Sequence, residues 1–255
     1  MPRRFTHAFV QAGAAILAAI LTSSLRAQGG PPLVTDDPDT PGSNNWEINA
    51  AVIGAQSHGH WDLAVPDLDI NYGWGEHVQL KVDLNWASAK TANTSRTSGL
   101  GATDFGVKWR FLDQEKSGFA LSIYPQLSMN LAPASVARGL TTEGRQFFLP
   151  AEISTEYGGL KFDAEVGRNF VERGPDEWLG GAIVAHACGP ALECGFELHG
   201  ALIEHQFEPL VNFGVHWQIA KRAILLAAAG REFGSSADGR QDFLFYFGFQ
   251  LLRES

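Results

Sequence analysis

The side chains best suited to chemistry stand in small groups along the 255 residues. His58, His60 and Asp62 bring two imidazoles and a carboxylate together, a set able to hold a metal weakly. They fall in a polar break, where a solvated loop is the simpler expectation. Asp36, Asp37 and Asp39 offer oxygen ligands to a hard cation, but the closing glutamate of a calcium loop is missing. Nucleophilic catalysis needs a serine or cysteine beside a base. The chain has no Gly-x-Ser-x-Gly, and His199, His205 and His216 have no serine of matching parity beside them. Cys188 and Cys194 flank a Gly-Pro turn and are expected to close a local disulfide in an oxidising compartment. No motif asks for a cofactor or a metal, and no enzyme is expected.

What remains is charge at every second position. Between His77 and Trp86, Val78, Leu80, Val82, Leu84 and Trp86 lie on one side, and Gln79, Lys81, Asp83 and Asn85 on the other. Successive strand side chains point to opposite faces, so such a segment is apolar on one face and polar on its back. The same alternation sets Phe105, Val107, Trp109 and Phe111 against Gly106, Lys108 and Arg110, and Leu160, Phe162, Ala164 and Val166 against Lys161, Asp163 and Glu165. It also gives Phe243, Phe245, Phe247, Phe249 and Leu251 at the C-terminus.

Twelve such strands are expected, over 46–56, 61–73, 77–88, 101–112, 118–130, 146–157, 160–170, 177–188, 193–204, 209–219, 223–232 and 241–252. The second should bend near Pro66, where the apolar parity shifts, and the eleventh, alanine-rich, could equally begin a helix. Short breaks alternate broadly with longer ones, the longest at 89–100 and 131–145.

A soluble sandwich or lipocalin-like barrel would turn the apolar face inward. Twelve strands enclose more space than one apolar face can fill, so the fold expected is all-β, a closed antiparallel transmembrane β-barrel with its apolar face toward lipid. Lys81, Asp83, Asp104, Lys108, Arg110, Glu152, Asp163, Glu165, Glu197 and His216 would then line the lumen, with Asp104 and Arg110 as an ion pair of the wall. Seven tryptophans fall mostly near strand ends, as interfacial girdles do. The C-terminal strand looks like the signal read by the barrel-assembly machinery, although it ends in Leu252-Arg253-Glu254-Ser255 rather than an aromatic.

The N-terminus fixes the expected compartment. Arg3 and Arg4, an apolar stretch over 8–21 and a break ending at Ala27 have the order of a secretory signal, and the stretch is too short to span a bilayer. Residues 1–27 are read as that signal, 28–45 as an extended periplasmic leader and 46–255 as the barrel. Losing Arg3, Arg4 and Arg26 takes the formal charge from −9 to −12, a balance unsuited to nucleic acid. The leader, rich in Pro, Gly and Asp, either stays free as an acidic tail or folds back into the barrel mouth as a plug.

The run Pro31-Pro32-Leu33-Val34-Thr35-Asp36-Asp37-Pro38-Asp39-Thr40, followed by Trp46-Glu47-Ile48-Asn49, resembles the opening of the barrels grouped as phenol-degradation meta-pathway transporters. Asn71-Tyr72-Gly73-Trp74-Gly75-Glu76-His77 resembles that family's second hairpin, and Gly101 to Phe111, with Asp104, Lys108 and Arg110, resembles a later strand. The likeness is sharp over 31–111 and architectural beyond. It implies a channel or transporter for small, often hydrophobic or aromatic compounds in the outer membrane of a Gram-negative bacterium, its partners membrane lipid and small solutes. A structural or adhesive closed barrel and an outer-membrane lipid hydrolase are the alternatives.

Overall fold

The computed structural model describes residues 30–91, 95–234 and 240–254; the segment read as a signal peptide lies outside the described residues. The strands are β1 (Trp46–Ser57), β2 (His60–Trp74), β3 (Val78–Thr91), β4 (Thr97–Leu112), β5 (Ala120–Ile123), β6 (Gln126–Met129), β7 (Arg145–Tyr157), β8 (Leu160–Val171), β9 (Glu177–Gly189), β10 (Leu192–Ile203), β11 (Gln206–Ala220), β12 (Ala223–Glu232) and β13 (Phe243–Arg253). Neighbours in sequence pair antiparallel, and β1 pairs with β13 from Trp46 opposite Arg253 to Gln56 opposite Phe243, which closes the ring. β5 and β6 share one stave between β4 and β7. The result is a closed antiparallel barrel of twelve staves.

Three local features follow from the residues. Proline has no N–H to give the ladder, so the stave expected over 118–130 is broken at Tyr124-Pro125. The ends of the break are tied instead by Tyr124 N–H to Pro150 O (3.1 Å) and Val107 N–H to Pro125 O (3.0 Å). Around Pro66 the register slips between Ala64 and Asp67 against β3, and between Ala51 and Ile53 against β2. That bulge is the parity shift visible in the sequence. The alanine-rich segment 223–232 is a strand because ladders to β11 and β13 take up its backbone groups on both sides.

Burial is inverted relative to a soluble protein. Asn49, Glu152, Glu197 and Asn212 are each at most 1% exposed, whereas Trp109, Phe247, Leu251 and most other large apolar side chains point outward. Closure leaves no sheet edge unpaired, the condition for a strand structure to sit in hydrocarbon. An even number of staves returns both termini to one end, where the tight turns 158–159, 190–191 and 221–222 lie. The long break 130–144 is at the opposite end, where Arg138 donates to Ser98 O (3.0 Å). Trp46, Trp74, Trp109 and Trp217 ring the terminus end, and Trp61, Trp86 and Trp178 lie toward the other, all exposed. No helix among the described residues is long and apolar enough to cross a membrane.

An outward apolar face sets a measurable cost. Phe105→Arg, midway along β4 and outward, is expected to lower folding stability in lipid vesicles by about 2–4 kcal/mol, read from urea-dependent refolding. An unchanged midpoint would show that this face does not meet acyl chains.

Candidate functional site

Many inward positions of the barrel are polar or charged, beside an apolar strip of Ala51, Leu226, Ala228 and Tyr246, and the charges must be compensated inside it, since a buried unpaired charge is costly. Part of that compensation comes from the leader. Residues 30–45 run into the lumen from the terminus end, bringing three aspartates to three wall cations.

Where it joins β1, the leader extends the pairing of β2: Asn44 N–H donates to Gly73 O (2.9 Å) and Gly73 N–H to Asn45 O (3.0 Å). Gly73 is required there, because a Cβ would sit 1.8 Å from the Gly42 carbonyl oxygen. Deeper in, Asp39 meets Arg110 (3.3 Å) and Asp37 meets Lys161 (2.7 Å). Lys108 Nζ donates to Asp36 (3.0 Å) and to the Asp37 carbonyl, and it also lies 3.5 Å from Glu152. At the deepest contact the polarity reverses: the wall carboxylate of Glu197 accepts from Val34 N–H (3.0 Å) and Thr35 N–H (2.5 Å), and from Asn212 Nδ2 (3.1 Å). The chain then turns back, with Leu33 N–H donating to Gly30 O (3.1 Å).

Inward glycines make the room. A Cβ on Gly181 would come within 2.1 Å of Thr35 Oγ1, and one on Gly214 within 2.8 Å of Leu33. The Tyr124-Pro125 break serves the same region. Tyr124 is fully buried, its hydroxyl accepts from Gln79 Nε2 (3.2 Å), and its ring lies 4.6 Å beneath Lys108 Nζ. A cavity of about 270 Å³ remains between leader and wall, bounded by Glu47, Asp69, Lys81, Tyr124 and Ile183 among others.

The residues expected to line the lumen divide into two sectors. Lys108, Arg110, Glu152, Asp163, Glu165 and His216 surround the leader. There Ser122 Oγ donates to Glu152, Asp163 lies 3.6 Å from Lys161, Glu165 lies 3.8 Å from His199, and His216 lies 3.8 Å from Glu193. Lys81, Asp83 and Asp104 lie across β3 and β4, with Lys81 Nζ 3.7 Å from Asp69. The expected Asp104–Arg110 pair is not formed. Six residues along one strand span roughly 20 Å, and Arg110 instead meets Asp39 and Asp113 (3.2 Å).

Of the leader's two expected states, the structure shows the one folded into the barrel. Sequence reasoning did not single out Tyr124 or the docking surface. A usable signal was there in the glycines at inward strand positions 73, 181, 195 and 214, since glycine inside a strand marks close approach of another backbone. His60 Nε2 meets Asp62 (2.9 Å) and His58 lies 3.8 Å from Asp242 at the opposite rim. Among the described residues no three such side chains gather to hold a metal. Cys188 and Cys194 are joined by a disulfide on the outer side of the β9–β10 hairpin, Cα–Cα 5.9 Å.

No protein-family model matches the chain, and no curated protein matches it in sequence. Its fold is shared with solved barrels. An outer-membrane channel from Pseudomonas putida F1 superposes with a TM-score of 0.66 at 12% identity, covering 86% of this chain and 98% of that one. The NanC porin gives 0.58 at 7% identity, over 82% of this chain and 100% of that one. The KdgM porin, solved with disordered oligogalacturonate, gives 0.55 at 11%, over 81% and 98%.

Burial alone would raise the Asp37 carboxyl, but Lys161 and then Lys108 outweigh it and hold the group at about 2, below its ordinary 3.8. A depressed carboxyl stabilises the docked state fully above its free value and loses that contribution as pH falls through the docked one. Protection of the Val34 and Thr35 amides, corrected for intrinsic exchange, is therefore expected to hold at neutral pH and to weaken from pH 3.8 toward about 2. At neutral pH, Asp37→Asn should cost roughly 1.5–3 kcal/mol of docking and speed exchange of both amides about tenfold to a hundredfold. Unchanged exchange would dissociate docking from this ion pair.

Proposed function

We propose that the chain is an outer-membrane channel for small solutes, its leader seated in the lumen as a displaceable plug. The observation that carries this reading is the nature of the leader's contacts. They are mainly ion pairs and hydrogen bonds to the wall, with Leu33 packed on the Ala51–Leu226–Ala228–Tyr246 cluster as the main apolar contact. Such contacts exchange for water and ions more readily than an apolar core does. The longest connection, 130–144, is at the opposite rim, and in such barrels the longer loops are extracellular, which supports a periplasmic entrance for the leader.

Eight strands make a barrel just filled by side chains, and sixteen leave an aqueous channel. Twelve fall between, so a plug of this size decides whether the bore is open. In the cavity beside the leader, the hydrophobic or aromatic cargo implied by the family resemblance finds little apolar lining, chiefly Ile183, Ala185 and Leu33; the wall's Leu226–Ala228–Tyr246 strip lies outside it. Small polar or charged solutes fit this lumen better. The similar solved structures are named as a channel and porins, in keeping with this reading. His199 and His216 face the lumen, away from the lipid boundary where a hydrolase of acyl chains works. A closed structural barrel is the second reading, favoured by how fully the leader occupies the terminus end.

Deleting residues 30–44 is the test. In planar bilayers the deletion variant should conduct several-fold more than the full chain, whose current is small or intermittent. No current from either protein, with both correctly folded by heat-modifiable gel mobility, would favour the structural barrel and overturn the channel.

A further inference from the structure

The sector of the lumen that the leader's ion pairs do not reach carries its own group of carboxyl side chains. Asp69 on β2 stands directly opposite Asp83 on β3, and Asp83 directly opposite Asp104 on β4. Three carboxylates thus share one rung across three adjacent staves, with Asp67 one inward position along β2. Like charges directly opposite each other are destabilising in a sheet, so the arrangement needs compensation. Lys81 is the ammonium group beside them, and its contact with Asp69 is 3.7 Å, beyond hydrogen-bond distance. Asn49 and Asn71 donate to the other Asp69 oxygen (3.1 and 3.0 Å). The leader's aspartates engage Lys108, Lys161 and Arg110 instead.

Each of the four aspartates keeps one buried oxygen, Oδ1, without a hydrogen-bond partner. A second observation points the same way. Tyr246 faces inward on β13, is 8% exposed, and its buried hydroxyl also has no partner. That hydroxyl lies in the field of Asp67, Asp69 and Asp83. Four unpartnered carboxylate oxygens on β2, β3 and β4 and the Tyr246 hydroxyl beyond β1 thus lie on one side of the lumen, each carrying the desolvation cost of an unmet polar group. All are hard donors, with no imidazole or thiolate among them, and hard oxygen donors select alkali, alkaline-earth or ammonium-type cations. They do not close on one point: among the described residues no three acidic or imidazole groups gather as a chelated metal would require. A weakly hydrated monovalent ion tolerates that spread better than Mg²⁺ or Ca²⁺, with their fixed shells. Asp69, with Lys81 beside it, borders the cavity next to the leader, so the rung opens to that cavity at its Asp69 end.

We propose that the Asp67–Asp69–Asp83–Asp104 rung, completed by the Tyr246 hydroxyl, binds small monovalent cations, alkali-metal or ammonium, and makes the lumen cation-selective. The selectivity rests on the channel reading of this barrel; the binding does not. Thallium(I), a potassium stand-in with strong anomalous scattering, is the probe for binding. Crystals of the full chain soaked in thallium(I) acetate should show an anomalous peak among these carboxylates. Asp83→Asn together with Asp104→Asn should lower the affinity read from a soak series at least about tenfold. Tyr246→Phe, which leaves the wall charge unchanged, should weaken it by a smaller factor. Absence of thallium from the rung, or equal affinity in the double variant, would overturn the proposal and leave the acids as proton-sharing neutral pairs.

Reversal potentials of the full chain in a KCl gradient supply the second readout. The potential should shift toward the potassium equilibrium value and move back toward zero in the double variant. A conducting protein without cation preference or bound thallium sinks this proposal and leaves the channel standing. No current from either the full chain or the variant lacking residues 30–44 sinks the channel, while the thallium peak still decides the site.

Discussion

Lys108 is buried to 2% exposure inside a barrel whose outer face is hydrocarbon-like, and its ammonium has to be neutralised there. Asp36, the Asp37 carbonyl, Glu152 and the face of Tyr124 all converge on it. Two of those partners come from the wall and two from the leader, so the wall alone leaves this cation only partly compensated. The position of the leader, the break in the fifth stave and the inward glycines all follow from that requirement. A carboxylate-bearing strap has to reach Lys108, Tyr124 has to swing beneath it, and the neighbouring strands have to omit their side chains where the strap passes.

The same logic divides the lumen. Around the leader, Asp36, Asp37 and Asp39 meet Lys108 of β4, Lys161 of β8 and Arg110 of β4 in turn, and the series ends at Glu197 with the backbone amides of Val34 and Thr35. At the Asp69–Asp83–Asp104 level of β2, β3 and β4, acids stand opposite acids with Lys81 beside them. A wall built only for stability would pair those charges or replace them with neutral groups of the same shape. Their retention is what the proposed cation binding would explain, on the side of the lumen away from the leader's ion pairs.

Much of this was legible in the sequence because a strand's period of two is a strong constraint. Val78 to Trp86 and Phe243 to Leu251 announce an apolar outer face as plainly as residues can, and the parity shift at Pro66 foretold the bulge in β2. Strand boundaries agreed to within a few residues for the same reason: Gly158-Gly159 and Ala220-Lys221-Arg222 leave the ladder little choice. Alternation gives the side of the wall on which a charge sits, but not which charge it meets. Asp104 and Arg110 looked like partners because they share a strand face, yet partners across a lumen come from different staves or from the leader. Register between strands, which sets Asp69 against Asp83 and Asp83 against Asp104, depends on turn geometry and bulges at both ends of each pair. Tyr124-Pro125 reads as an ordinary stretch of strand until a neighbouring proline carbonyl takes over its backbone pairing.

The account stands on the leader lying inside the lumen against β9, and a chemical cross-link tests that most directly. Thr35→Cys with Gly181→Cys, made in a Cys188→Ser, Cys194→Ser background, places one thiol on the leader and one on the wall it touches, where the native side chain of Thr35 leaves no room for a Cβ at position 181. In intact outer membranes these two cysteines should form a disulfide in high yield, retained in the denatured protein and reversed by reductant. Two free thiols under the same oxidising conditions, in a barrel that is otherwise folded, would place the leader outside the lumen and contradict the account.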